Sequence, residues 1–375
     1  MPSAAPAVFD WHMPVAVRFG SGCTQALPGE LGSRPVVVMA FAPARPLGLQ
    51  AAWAEGLGDR LLDWVDVPEG LSTLAVARQL APRVWQALDH APETVLLGLG
   101  GGSVLDLAKL LRARPAVTDF DAVAAAVRSQ APWPALARAP LWLVPTTAGT
   151  GSEVTRWATI WDTDGAVALK RSFDEPWGYA DRAWIDPTLT LSAPLALTRD
   201  TALDSLAHAL EALWNRHANP VSDALAVQAA CRIRAHLPAV LAAPQRLEGR
   251  EQLALAAAEA GIAFSQTRTA LAHALSYTLT LEQGVPHGQA VAAWLPTACR
   301  LATGRDAGID ARLEAVFGVP ATAAAATLED WLAGLGVATD ALAYGVRDGE
   351  ARVQAALRSP RGRNFIGADV MGGLS

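Results

Sequence analysis

The sequence predicts two successive folds in one chain, an α/β half built on a parallel sheet and then an all-helical half. Three observations carry that expectation. Continuous apolar runs such as Val36–Phe41 (VVVMAF) and Thr94–Leu99 (TVLLGL) alternate with helical stretches through the first half, the pattern of strands covered by helices on both faces. After Asp186–Leu197 (DPTLTLSAPLAL) the texture shifts to long Ala/Leu-rich segments with apolar stripes. The length of 375 residues exceeds one simple core. A boundary near residue 190 is expected, with residues 1–190 forming the α/β domain and 191–375 the helical one.

The elements follow in order. Val15–Phe19 (VAVRF), Val36–Phe41, a weaker run over Arg60–Val67, Thr94–Leu99 and Leu141–Val144 (LWLV) read as strands. Leu74–Ala87 and Ser103–Leu111 read as the intervening helices. In the second half Asp200–Trp214, Pro220–Leu241, Arg250–Ala263 and Thr269–Thr278 read as helices, and Pro360–Arg363 as a loop.

Hydrophobic residues make up 51% and charged residues 18%, a balance that supports large buried cores and argues against disorder. The net charge of -6, without basic runs, gives no electrostatic footprint for nucleic acid. The opening MPSAAPAVFDWHMPV lacks a basic segment followed by an apolar one, so no signal peptide is expected. No uncharged apolar run reaches the ~18–20 residues that span a bilayer. Cys23, Cys231 and Cys299 are odd in number and scattered, as in reduced thiols rather than a disulfide framework. A soluble cytoplasmic protein is expected.

Gly100-Gly101-Gly102-Ser103 follows a strand and opens a helix. Glycines there admit close approach of a ligand, and a helix N-terminus offers free N–H groups to a phosphate. The same residues would also serve a plain strand-to-helix turn, and the pattern is not G-x-G-x-x-G. Asp106 and Lys109 follow on one face of that helix; alone they would be an ordinary surface pair. A second loop, Pro145–Glu153 (PTTAGTGSE), is dense in hydroxyls and glycine suited to phosphates and sugars. Two such loops at strand C-termini imply a crevice there.

Asp204 and His208 lie four apart in DSLAHALEAL, on one helical face. His273 sits in a second helical stretch, and His287 follows a turn at Gly284-Val285-Pro286. Three imidazoles and a carboxylate suit Fe²⁺ or Zn²⁺. The spacing equally suits a helix salt bridge with packed histidines, and both readings stand at this point. His12, His90, His217 and His236 have no comparable partners and read as structural.

Six segments in order then resemble one family. They are GGGSVLDLAK (100–109), PTTAGTGSEVT (145–155), DPTLTLSAP (186–194), ALDSLAHALEAL (202–213), ANPVSDALA (218–226) and HALSYTLTLEQGVPHG (273–288). Together they look like the iron-containing (group III) alcohol dehydrogenases. The resemblance covers nearly the whole chain and is strongest between 95 and 300. It implies a nucleotide-binding α/β domain and an all-helical metal-binding domain, the dehydroquinate synthase-like fold, with the active site in the cleft between them. It puts Asp204, His208, His273 and His287 on the family's metal-ligand positions. It puts Gly101, Gly102 and Ser103 on the pyrophosphate loop and Thr146, Thr147 and Thr150 on the second cofactor loop, and Gly100, Asp106 and Lys109 are expected to bind the cofactor with them. The implied cofactors are Fe²⁺ or Zn²⁺ and NADPH or NADH. A homodimer or larger homo-oligomer is common in the family.

Two departures stand out. Many members carry a further histidine four residues after the third ligand; here that place is Tyr277, read either as a proton relay beside His273 or as a pocket wall. Many NAD-preferring members have an acid just after the second strand; VVVMAFAPAR has none, and Arg45 is close by, which leans towards NADPH. The resemblance sets Arg156, Trp157, Thr159, Phe264 and Thr269 on or beside substrate positions, with Arg268 in a stretch often rich in glycine. Lys170 and Arg171 add charge near the pocket. Several cations suggest an anionic substrate, although each is also compatible with a solvated surface. KRSFDEPWGYADRAWIDP, ALWNRHANPVSDALAV and TRTALAHALSYTLTLEQGVPHG look most like the phosphonoacetaldehyde reductase (2-hydroxyethylphosphonate dehydrogenase) branch. Sulfoacetaldehyde, succinic semialdehyde or neutral short alcohols are the alternative substrates. A dehydroquinate synthase-like lyase is a remote alternative that the PTTAGTGSEVT loop argues against.

Overall fold

The computed structural model describes residues 8–368 except 43–47, 116–118, 130–132, 134 and 166–167. Arg45 lies outside the described residues. Contacts divide the chain into two compact units. One comprises Pro14–Thr147 and Ser152–Ala193; the other comprises the segment up to Met13, Ala148–Gly151, and Pro194 onward.

The α/β unit begins with β1 (Ala16–Phe19), α1 (Leu27–Glu30), β2 (Val36–Phe41), α2 (Leu49–Leu57), β3 (Leu61–Val67), α3 (Leu74–Leu88), β4 (Val95–Gly100) and α4 (Gly102–Leu111). It continues through β5 (Ala113–Pro115), α5 (Phe120–Ser129), β6 (Leu136–Arg138), β7 (Leu141–Pro145), β8 (Trp157–Asp162), β9 (Leu169–Asp174) and β10 (Arg182–Ile185). Six strands form a sheet in the order β1-β10-β7-β4-β2-β3, and every pairing in it is parallel. β4 lies between β2 and β7 and is buried along its whole length, which is why its sequence is a continuous apolar run rather than an alternating one. β3 is an edge strand and alternates, LLDWVDV, so its signal in the sequence is weaker. β8 and β9 form an antiparallel hairpin. Neither the hairpin nor β10 was anticipated: β10 has only four residues, and the hairpin carries Lys170, Arg171 and Asp174 among its apolar positions.

The helical unit holds α6 (Leu195–Leu213), α7 (Pro220–Ala242), α8 (Leu247–Thr267), α9 (Leu271–Gln283), α10 (His287–Ala292), α11 (Leu295–Ala302), α12 (Ala307–Phe317), α13 (Ala321–Gly334) and α14 (Gly349–Arg358). Its core is rich in alanine and leucine and includes Leu206, Leu210, Trp214, Ala229, Ile233 and Ala260. Small side chains let the long helices pack closely. The start of α7 is set locally. Asn219 accepts hydrogen bonds from Val221 N and Ser222 N, Ser222 reciprocates, and Pro220 occupies the first turn, a capping box that ANPVS spells out. α6 begins at Leu195 rather than Asp200, since Pro194 precedes its first turn. Within Pro360–Arg363, read as a loop, a short 3-10 turn begins at Gly362 and runs to Asn364. No described helix is long and apolar enough to cross a membrane.

Candidate functional site

Asp204 and His208 come from α6, His273 from α9 and His287 from α10. The helices bring Asp204, His208 and His273 into one cluster whose ligand atoms all lie within 4.8 Å of one another, with His287 at its edge beside Asp204. Asp204 Oδ1 lies 3.4 Å from His273 Nε2, 3.7 Å from His208 Nε2 and 3.7 Å from His287 Nε2. Three imidazole nitrogens therefore face one carboxylate oxygen. Asp204, His208 and His273 are buried, whereas the His287 side chain is 34% exposed. Gly288 is needed here: an added Cβ would come within 1.7 Å of Asp200 O, so only glycine lets α10 approach α6 closely enough to deliver His287.

The electrostatics suit a cation. Burial alone pushes the Asp204 carboxyl up, but His208, His273 and His287 outweigh it and hold the carboxylate well below its usual range. Asp204 Oδ1 and His273 Nε2 are buried without a hydrogen bond of ordinary geometry. Buried polar atoms are normally satisfied, and orphans aimed at one point, from one carboxylate and an imidazole, are the donor set of a transition metal. These residues fit such an ion.

Glu211, one turn past His208, was missed by the sequence reading. It is fully buried and accepts from His273 Nδ1 at 2.7 Å, Ala270 N at 2.7 Å, Ala272 N at 2.5 Å and His273 N at 3.2 Å. It thus caps the start of α9 and fixes the imidazole so that Nε2 is the nitrogen left facing Asp204. Burial raises and these contacts lower its pKa, with a net lowering. For His273 burial lowers the pKa, and Glu211 and Asp204 raise it by more.

Around the cluster, Phe264 stacks on His208 with ring centroids 4.1 Å apart. Tyr277 follows His273 by one turn of α9; burial, assisted by Glu211 and opposed by Arg361, raises its pKa and keeps the phenol protonated. Arg361 Nη1 donates to Thr269 Oγ1 at 2.6 Å, and its guanidinium lies 5.5 Å from the Tyr277 ring centroid. Arg268 is exposed at the end of α8, with φ 70 and ψ 169.

In the α/β unit, Gly101 precedes α4 with an extended backbone. A Cβ there would meet nothing closer than Thr147 Oγ1 at 3.5 Å. The fold therefore tolerates a side chain at 101, and the glycine keeps open the space before the helix N-terminus, as a phosphate cradle requires. Thr146 N donates to Gly100 O at 2.9 Å and ties the two loops together. Thr150 belongs to Ala148–Gly151, a segment that packs with the helical unit, where Ser205 Oγ donates to Gly149 O at 2.7 Å.

Asp106 and Lys109 are not a surface pair. Asp106 accepts from Ser152 Oγ at 2.7 Å and from Thr159 N at 2.7 Å. Lys109 is fully buried and donates to Trp157 O at 2.6 Å. Burial lowers the Lys109 pKa to about 8, and burial raises that of neighbouring Glu153 to about 7. The pair anchors the β8–β9 hairpin to α4. That hairpin carries Thr159 and Lys170, and Arg156 stands just before it; Arg156 Nε is bonded to Asp174 Oδ1 at 2.6 Å, so its charge is already matched. Phe264, Arg268 and Thr269 belong to the helical unit instead.

Two family models match the chain. The one described as iron-containing alcohol dehydrogenase matches residues 14–187, and the one described as Fe-containing alcohol dehydrogenase family, C-terminal, matches residues 198–361. The chain is 37% identical over 204 residues to the choline dehydrogenase of Bacillus subtilis, which covers 53% of this chain and 49% of that protein. It thus spans about half the length of that relative. Over 300 residues it is 32% identical to the NAD-dependent methanol dehydrogenase of Bacillus methanolicus, covering 77% of this chain and 75% of that one. The crystal structure of sulfoacetaldehyde reductase from Bifidobacterium kashiwanohense in complex with NAD+ superposes with a TM-score of 0.86 at 25% identity, covering 97% of each chain.

Proposed function

The chain belongs to the iron-containing alcohol dehydrogenase family, and on that premise we propose that it is a metal-dependent, NAD(P)(H)-linked alcohol dehydrogenase or aldehyde reductase. The observation that carries the reading is the convergence of His208, His273 and His287 on Asp204 Oδ1, with Glu211 behind His273. Asp204, His208, His273 and His287 would hold Fe²⁺, or Zn²⁺. When bound, the ion supplies Lewis acidity towards a substrate oxygen and the nicotinamide supplies the hydride chemistry.

The chain's own residues do the rest. Gly100–Ser103 at the start of α4 would receive the pyrophosphate, with Thr146, Thr147 and Thr150 on sugar and phosphate oxygens. Asp106 and Lys109 keep that helix and the β8–β9 hairpin in register. Tyr277, its phenol kept protonated by burial, would give a proton to the carbonyl oxygen as hydride reaches the carbon. The missing acid after β2 favours NADPH over NADH. A cytoplasmic homodimer or larger assembly belongs to the same reading.

The substrate we propose is phosphonoacetaldehyde, reduced to 2-hydroxyethylphosphonate. The names of the similar proteins span a cationic, a neutral and an anionic substrate, so similarity selects no charge class. Support comes instead from the segments around Lys170, Trp214 and Tyr277 that resemble the phosphonoacetaldehyde reductase branch. Sulfoacetaldehyde is the second reading, favoured by the structural likeness to a sulfoacetaldehyde reductase.

The test is oxidation of NADPH and NADH by iron-loaded protein. Phosphonoacetaldehyde is compared with sulfoacetaldehyde, succinic semialdehyde and propanal. The expected result is the highest kcat/KM with phosphonoacetaldehyde and NADPH. Preference for propanal would reduce the reading to a generalist for neutral aldehydes, and failure to oxidise either coenzyme with any aldehyde would remove it.

A further inference from the structure

We propose that Arg361 is the specificity residue of this site, the group that receives the oxyanion end of a short aldehyde or alcohol bearing a phosphonate, sulfonate or carboxylate. The inference rests on the reading of the site given above and deepens it.

Three observations carry it. The first is position. His273 and Tyr277 lie four apart on one face of α9, and Thr269 stands in the turn just before that helix. Arg361 donates to Thr269 Oγ1 at 2.6 Å and lies over the Tyr277 ring at 5.5 Å. It therefore touches both the turn before α9 and the side chain one turn past His273, the imidazole turned towards Asp204. The second is charge. Arg156, Arg112, Arg300 and Arg352 each meet a carboxylate. Among the described residues none is found for Arg361. One of its five N–H donors is used on a neutral hydroxyl, and stacking on an aromatic face leaves the guanidinium edge to bind an oxyanion in fork geometry.

The third is preorganisation. Asn364 Nδ2 donates to Thr269 O at 2.9 Å and Asn215 Nδ2 to Arg268 O at 3.0 Å, so the turn before α9 is held from two sides. Arg268 within it is the one non-glycine residue with positive φ among those described. Backbone held in so sparse a region is characteristic of ligand clamps.

A purely structural role, with Arg361 stapling the C-terminal turn to the α8–α9 connection, makes a different prediction, and kinetics of the iron-loaded enzyme separate the two. With NADPH, the kcat/KM ratio of phosphonoacetaldehyde to propanal should fall on the order of ten- to a hundredfold in Arg361→Gln. The fall should come mainly through KM for the anionic aldehyde, and Arg361→Lys should recover part of it. Parallel losses for both aldehydes with a lowered Tm, leaving the ratio unmoved, would overturn the assignment, as would no change at all.

Calorimetric titration with 2-hydroxyethylphosphonate decides the matter without turnover. Binding by the parent protein that weakens in Arg361→Gln supports the assignment even if no aldehyde is reduced, in which case only the oxidoreductase reading falls. Equal binding by the two proteins, or none by the parent, overturns it.

Discussion

In the proposed reading the helical unit would carry its chemistry on four side chains drawn from three helices, with His273 held from behind by the buried Glu211. In the same reading the α/β unit would carry its chemistry on main-chain N–H groups at the start of one helix, with glycine leaving the approach clear. The two should fail in different ways. A site made of side chains is damaged by removing atoms and tolerates little change of charge behind them. A site made of backbone is damaged by adding atoms and is indifferent to most side-chain chemistry nearby. The contrast can be broken by substitution, because each site has a change that should silence it while sparing the other.

The largest effect is expected at His273. His273→Ala should abolish retained iron and coenzyme-linked turnover together, since it removes a buried ligand and leaves the Glu211 carboxylate without its imidazole partner. Glu211→Gln should cost less, roughly ten- to a hundredfold in metal affinity, as is usual for the partner behind a ligand. Metal content after dialysis against a graded chelator series checks both, and calorimetric binding of NADPH should survive in both. Full metal retention in His273→Ala would remove the helical site from the comparison.

Next is Gly101→Val. The space around a Cβ at 101 is open apart from Thr147 at 3.5 Å, and the extended backbone of Gly101 suits a β-branched residue, so folding should be little affected. Valine would fill the approach to the α4 N-terminus. NADPH affinity should fall by at least about tenfold, about 1.4 kcal/mol, while metal content holds. Unchanged NADPH binding would mean the glycine triplet is only a strand-to-helix turn, the alternative that the sequence left open.

That pair of outcomes mirrors what was legible in the sequence. The glycine loop could be read directly, because its strand, turn and helix are contiguous. Asp204 and His208 could be paired, because one helical turn links them. Their meeting with His273 and His287 could be seen only through family resemblance, since no local rule joins residues on three helices. Glu211 was hidden in plain view: an acid three residues after His208 in an Ala/Leu helix looks like any surface glutamate until α9 is docked against it. The burial of Asp106 and Lys109 was hidden for the same reason, since their spacing alone is that of an ordinary surface pair. What buries them is a hairpin about fifty residues further on, formed by strands whose charged residues masked their alternation. Arg361 reaches Thr269 across 92 residues, and nothing local announces it. Strands β2 and β4 were plain because full burial writes itself as unbroken hydrophobicity; the short β10 leaves no such trace.

The smallest predicted effect sharpens the comparison from the side of stability. Arg268 holds φ 70 and ψ 169 at the end of α8, a region that costs a non-glycine residue of order 1–3 kcal/mol. Glycine would relieve that strain but would also gain freedom in the unfolded chain, about 0.4–1 kcal/mol in the opposite direction. The net for Arg268→Gly is a stabilisation of order 1 kcal/mol, a rise in Tm of a few degrees at most for a chain of this size. Calorimetry of the metal-free and metal-loaded proteins measures it. If the strained turn exists to present Thr269 and Arg361 to a substrate, the more stable variant should be the poorer enzyme, with a raised KM for the anionic aldehyde. A variant both more stable and equally selective would mean that the strain serves no recognition, and that the turn is held in place by its Asn215 and Asn364 contacts alone.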